Sequence, residues 1–202
     1  MKRIVIIGAS GHGKVVADIA RLNGYDDIVF LDNNPNVKEC AGYSVLGDDT
    51  LVNELDGDLF VSIGKAEIRK KLMDNYKGRV FPILKHPASV VANGVEIGEG
   101  SVVMAGAVIN PEAKIGRGCI INTASSVDHD CVVCDFCHVS VGSHLCGTVY
   151  IGENSWIGAG AVVSNNISVC DDCMIGAGAV VIKNIEMSGT YVGVPARIIA
   201  NK

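Results

Sequence analysis

From Val91 to Glu186 the chain keeps one pattern of apolar and polar positions with a period of six: VANGVE, IGEGSV, VMAGAV, INPEAK, IGRGCI, and so on to VIKNIE. Val, Ile or Leu opens all sixteen blocks, and the fifth place of each holds Ser, Ala, Cys, Val or Ile. A strict period of six is neither the 3.6 of an α-helix nor the 2 of a flat strand. It predicts a β-helix in which three hexapeptides close one triangular coil. The branched first residue fills the prism, and the small fifth residue takes the space beside it. One coil cannot bury its apolar side alone, so coils must stack, at the ~4.8 Å spacing of hydrogen-bonded strands. Sixteen hexapeptides make a little over five coils.

The segment before the repeat has another texture. KRIVIIGA reads as a buried strand, GASGHGKV as a glycine-rich turn, and KVVADIARLNG as an amphipathic helix closed by Gly24. IVFLDNN is a second strand ending at Asp32, and DDTLVNEL a short helix opened by acidic capping residues. LFVSIGK is a third strand, AEIRKKLMDNY a second helix, and RVFPILKHP a fourth strand. Strands alternating with helices predict a parallel sheet. The expected architecture is an α/β half-Rossmann domain over residues 1–85, then a parallel β-helix with a C-terminal cap over residues 86–202, joined through HPASVVANG.

Between the first strand and the first helix, glycines permit positive φ and let backbone N–H groups approach a phosphate. Gly8, Ser10, Gly11, His12 and Gly13 are therefore candidate nucleotide contacts. Asp32 and Asn33 end the second strand, and Ser62, Gly64 and Lys65 end the third, on the same carboxyl edge. The spacing is GxxGxG, not GxGxxG, so a complete dinucleotide site is not implied. The alternative is a tight strand–helix turn with no ligand.

Charge and cysteine content narrow the classes. A net charge of −5 without a basic stripe argues against a nucleic-acid partner. No run of eighteen apolar residues exists, so no membrane span is expected, and the N-terminus reads as a strand, not a signal peptide. Cys131, Cys134, Cys137 and His138 have the spacing of metal ligands. Register offers a plainer account. Cys119, Cys131, Cys137 and Cys173 hold the small fifth place, and Cys134, Cys146 and Cys170 the second, where Gly is commonest. Free Cys packs as a small hydrophobe. No metal is expected, and reduced thiols imply a cytoplasmic protein.

The repeat resembles the hexapeptide-repeat acyltransferases. That resemblance implies a left-handed β-helix, a homotrimer, and acyl-CoA bound between subunits. INTASSVDHDCVVCDFCHVSVGSHLCGTVYIG, with GASGHG, FLD, SIGKAEIRKK and GVPAR, resembles more narrowly the bacterial sugar acetyltransferases of the NeuD/PglD type. By that resemblance His129 is the catalytic base, Asp130 its neighbouring carboxylate (Glu in the N-acetyltransferase branch), and His138 a contact of acetyl-CoA. Val194, Pro195 and Arg197 of GVPAR lie near CoA in the same scheme; otherwise they form a capping turn.

Register adds to this. His129 is third in its block, and His138 and His144 are sixth in theirs, so all three project outward from the prism. Gly147 follows His129 by three blocks and takes the same place one coil on. It is the expected oxyanion donor, and the resemblance points to the same glycine. Ala159 and Ala177 share another column of small outward residues suited to the pantetheine arm. The expected activity is acetyl transfer from acetyl-CoA to a nucleotide-linked amino-sugar, UDP-linked with a 4-amino group. His129 is the base in a direct ternary complex. The alternatives are a sialic-acid O-acetyltransferase and a non-catalytic, nucleotide-sugar-binding trimeric scaffold.

Overall fold

A computed structural model describes residues 1–199; the last three residues of the expected second domain lie outside the described residues. The chain divides into two compact units, one ending at His86 and the next beginning at Pro87. Among the described residues no helix is long and apolar enough to cross a membrane.

The first unit is built on β1, Arg3–Ile7, whose RIVII run is buried nearly throughout. A strand covered on both faces reads as a continuous apolar run, not an alternation. Parallel neighbours flank it: β2, Asp27–Leu31, on one side and β5, Asp58–Val61, on the other. Helix α1, Gly11–Leu22, buries Val16, Ala17, Ile19 and Ala20, while α2, Ala66–Asn75, buries Leu72 and Met73. Helix α1 begins earlier than its apolar pattern predicts. The Lys14 amide closes the first turn on the Ser10 carbonyl at 3.0 Å, so Gly11, His12 and Gly13 are helical, not loop.

The expected fourth strand needs correction. Only Leu84–Lys85 of RVFPILKHP is extended, and it does not join this sheet. The sheet instead gains β4, Tyr43–Gly47, parallel to β2, with β3, Glu39–Cys40, antiparallel on its edge. Partial exposure along β4 leaves it without the apolar run that marks a central strand. DDTLVNEL forms a 3-10 turn, Asp49–Glu54, in which Asp48 accepts the Thr50 N–H at 3.0 Å.

The second unit is a left-handed parallel β-helix. Its two-residue strands stack on three faces, each strand pairing with the one three blocks away. Face I carries Ser126–Val127 and His144–Leu145, face II Val132–Val133 and Tyr150–Ile151, and face III His138–Val139 and Trp156–Ile157. First- and fifth-place residues from Val103 to Ile185 form one continuous buried core. Burying each branched aliphatic side chain contributes roughly 1.5–3 kcal/mol. The chain tail closes the stack: Gly189–Val192 adds parallel to Cys173–Ile175, and Arg197–Ile199 adds antiparallel to Gly189–Val192. Such a cover removes an open strand edge.

Each corner has one recurring backbone device. Fifteen successive fourth places, Gly94 to Gly178, have φ between 55° and 81°. Seven are Gly and four are Asn or Asp; Glu112, Ala124, Phe136 and Thr148 make up the rest. The fourth-place amide then donates to the third-place carbonyl of the preceding coil, as Thr148 does to His129 at 2.9 Å. Second places hug the next coil, so a Cβ at Gly158 would come within 2.5 Å of the Ile175 carbonyl.

The fifth-place cysteines are core residues with a defined hydrogen bond. Cys119, Cys131 and Cys137 donate to the carbonyls of Cys134, Cys146 and Gly152 at 3.0, 3.1 and 3.0 Å. Ser101 and Ser155 make the same contact to Gly116 and Cys170. Cys and Ser share that place because both are small and both donate. All eight cysteines are free thiols.

Thr148 is exposed and β-branched at φ 60°, a conformation that costs a non-glycine residue roughly 1–2 kcal/mol. Thr148→Gly is expected to raise the thermal midpoint, with a gain of about 0.5–1 kcal/mol after the entropy of the added glycine. Gly158→Ala is expected to lower it, because the new methyl meets backbone. Melting curves of the two variants against the parent check both signs.

Candidate active site on one corner of the β-helix

The corner joining face I to face II carries Asp128, His129 and Asp130 after the strand Ser126–Val127. His129 points outward with 58% of its side chain exposed. Asp130 is the fourth-place residue, at φ 57°, a region that Asp tolerates better than most residues. That turn brings its carboxylate back onto the ring: Oδ2 lies 2.7 Å from His129 Nδ1. A carboxylate can only accept, so Nδ1 carries a proton, and in the neutral ring Nε2 keeps its lone pair. The His129 pKa is raised, first by the Asp130 hydrogen bond and then by the charge of Asp128.

Gly147 sits directly in the column of His129. A Cβ there would lie 2.6 Å from His129 Nε2 and 2.7 Å from Cε1, so the imidazole occupies the space that the missing side chain leaves. At two other corners the third-place amide is capped: Asp135 accepts from Arg117 and Asp171 from Glu153, at 2.9 and 2.8 Å. Among the described residues the Gly147 amide has no such cap. The bare nitrogen of the neutral imidazole and the buried, uncapped Gly147 N–H therefore stand side by side.

The other two histidines take different places. His138 is on face III, nearly buried, with Nε2 3.0 Å from Asn122 Nδ2 and its ring 4.5 Å from that of Trp156. His144 is exposed on face I, with Nδ1 2.9 Å from Ser126 Oγ. Ala159 and Ala177 are exposed and stacked on the corner between faces III and I; the Gly178 amide reaches the Ala159 carbonyl at 2.9 Å. One chain thus gathers His129, Asp130 and Gly147 but not His138, Ala159 or Ala177. Val194 is 73% exposed in the cap turn beside Pro195. Arg197 lines a shallow cleft of about 320 Å³ with Lys183, Asn184 and Tyr191. Lys183 continues the column of His129 and Gly147, two coils beyond Gly147. Among the described residues no group of His, Cys, Asp and Glu is arranged to hold a metal ion.

In the first unit a cleft of about 360 Å³ opens at the carboxyl edge of the sheet, lined by Gly8, Asp32, Asn33, Asp49, Lys71 and Asn75. Asp32 is tied in place by the amides of Ala9 and Asn34 at 2.7 and 2.9 Å. Lys71 and Asn75 escaped the sequence reading. Their signal is the i, i+4 spacing on α2, on the face that also carries Ile68 and Leu72.

Other residues of the expected phosphate site have packing partners. Ser62 is buried and donates to the carbonyls of Ile7 and Gly8 at 3.0 and 2.7 Å. Gly13 is required because a Cβ would run into the Gly8 carbonyl, whereas one at Gly11 would meet nothing. Gly64 accepts from Arg69, and Lys65 pairs with Glu67 at 3.0 Å. Burial, then the nearby Arg69 guanidinium, pushes the His12 pKa down to about 4. His12 is neutral at pH 7 and offers no charge to a phosphate. Ser10, extended at the start of α1, makes no side-chain cap.

Comparison with known proteins matches residues 3–76 to the PglD N-terminal domain. It also matches 148–183 to the bacterial transferase hexapeptide and 88–111 to the hexapeptide repeat of succinyl-transferase. A curated relative, UDP-N-acetylbacillosamine N-acetyltransferase of Bacillus subtilis (strain 168), is 35% identical over 115 residues. That match takes in 52% of each protein, so the chain spans about half the length of this relative. The acetyltransferase domain of PglB from Neisseria gonorrhoeae FA1090 is 40% identical, with a TM-score of 0.95 over 98% of this chain and 100% of that one. That domain has also been solved in complex with acetyl coenzyme A. PerB from Caulobacter crescentus, solved with CoA and GDP-perosamine, is 37% identical, with a TM-score of 0.93 over 99% of this chain and 98% of that one.

Gly147→Ala is expected to displace the His129 ring while leaving the coil intact, since Gly147 is not among the positive-φ glycines. Misplacement by about 1 Å costs on the order of 10²-fold in rate. Steady-state turnover beside an unchanged melting curve checks this.

Proposed function

This chain belongs to the PglD-type sugar acetyltransferases of the hexapeptide-repeat superfamily, and we propose that it transfers acetyl from acetyl-CoA to the amine of a UDP-linked 4-amino-sugar. The relatives support the substrate class: one is named for a UDP-linked amino-sugar and another is bound to GDP-perosamine and CoA. The observation that carries the chemistry is the His129 imidazole, held by Asp130 through Nδ1 and bare at Nε2 over the Gly147 amide.

Acetyl transfer to an amine forms a C–N bond, breaks the thioester C–S bond and moves a proton from nitrogen to the departing sulfur. In this reading His129 Nε2 accepts the amine proton and later returns it to the thiolate. Asp130 fixes the tautomer and stabilises the imidazolium. The Gly147 N–H faces the oxyanion that develops on the thioester carbonyl. Transfer is direct, with no acyl-enzyme. The first unit is the nucleotide-sugar domain, with Gly8, Asp32 and Asn33 at its cleft, and the second is the acetyltransferase domain.

His138, Ala159, Ala177 and the Val194–Arg197 turn lie off the His129 corner, so we assign them to acetyl-CoA across a homotrimer interface, where edges of neighbouring copies meet. The enzyme works in the cytoplasm, in bacterial glycan assembly.

A thiol-release assay with acetyl-CoA tests the reading against UDP- and GDP-linked 4-amino-sugars and sialic acid. Release is expected with the UDP-linked amine. His129→Ala is expected to lose about 10²–10⁴-fold in turnover with acetyl-CoA affinity unchanged. Near-normal turnover of that variant removes the base, and release with sialic acid alone removes the substrate class.

A further inference from the structure

A buried or crowded backbone N–H needs an acceptor, and the His129 corner cannot obtain one in the usual way. At Arg117 and Glu153 the cap is a third-place Asp from the following coil. His129 has Gly147 there, because the imidazole fills the room a side chain would need. Its amide turns instead to Asp128, whose Oδ1 accepts at 2.8 Å. Asn110, one coil earlier in the same column, donates its side-chain amide to that oxygen at 2.7 Å. Among the described residues the same kind of cap occurs once with a neutral residue: Asn122 Oδ1 accepts from the Thr123 amide at 2.7 Å. An amide oxygen is therefore sufficient for the cap. Yet Asp128 is charged, alone among the sixteen second places of the repeat.

We propose that Asp128, clamped by Asn110, is a positioning residue for His129: it fixes the backbone beneath the imidazole and sets a second negative charge beside it. The inference rests on the acetyl-transfer reading above, in which His129 is the base. Asp128 and Asp130 are the charged groups acting on His129, and the column neighbours Pro111 and Gly147 carry none. The Asn110 amide, then the His129 N–H, holds the Asp128 carboxyl below the usual carboxylate range. Asp128 is thus anionic wherever His129 titrates. Its charge favours the imidazolium, strengthening the base and moving the acid limb of the rate profile to higher pH.

Asp128→Asn keeps the accepting oxygen and removes the charge. The acid limb of its kcat profile is expected to move to lower pH by about 0.5 unit, roughly threefold in the protonation constant, with the KM for acetyl-CoA within about twofold. An NMR titration of the His129 imidazole in the full chain is expected to show the same shift without substrate. An unmoved imidazole pKa overturns the proposal. A shifted imidazole without any acid limb, in parent and variant alike, supports the charge coupling and removes the general-base reading instead. Asn110→Ala keeps both carboxylates and only releases the clamp. It is expected to lower kcat about threefold to tenfold, within the range that loose positioning costs, at constant KM; an unchanged kcat overturns the clamp.

Discussion

Everything in the β-helix depends on the backbone turning left-handed once every six residues. Fifteen consecutive fourth places hold that conformation, and from Gly118 to Gly178 their amides bond to the coil before them. The turn keeps each coil at three hexapeptides, so side chains three blocks apart are stacked neighbours. Cores, corners and site follow from that register. It puts a thiol or hydroxyl under a carbonyl at the fifth place and a glycine against the next backbone at the second. It also stands His129 on Gly147.

The candidate site uses what a corner can offer. A residue at φ near 57° directs its side chain back across the turn, and Asp130 thereby meets the ring of its own neighbour. The ring then needs space above it, which only glycine leaves. That glycine is itself buried beneath the ring, leaves its own amide without a cap and deprives another of an Asp cap, and Asp128 with Asn110 fills the second gap. His129 is exposed, so its raised pKa comes from groups in contact or nearly so, not from a low dielectric. Acid–base character here is a product of corner geometry.

Much of this was legible in the sequence, because a hexapeptide frame fixes direction as well as fold. The first- and fifth-place rule told inward cysteines from ligands and outward histidines from core, and stepping three blocks on from His129 found Gly147. The fourth-place turn was equally present, as Gly, Asn or Asp at eleven of fifteen corners. It is hidden by Phe136 and Thr148, which adopt the same conformation against their preference. In the first unit the half-exposed Tyr43–Gly47 strand lacked an apolar run and was missed. Gly13 and Ser62 serve packing, and the cleft draws on Lys71 and Asn75 of a helix whose amphipathic face looked ordinary.

The central claim is that the corner presents a His129 base whose neutral ring has its proton on Nδ1 and its lone pair on Nε2, over an uncapped amide. Nitrogen-15 NMR of the imidazole in the protein, followed through its titration and read for tautomer at pH above it, tests this directly. The account predicts the Nδ1–H tautomer, with a pKa above that of an unperturbed histidine. A proton on Nε2, or a pKa at or below the unperturbed value, would contradict it.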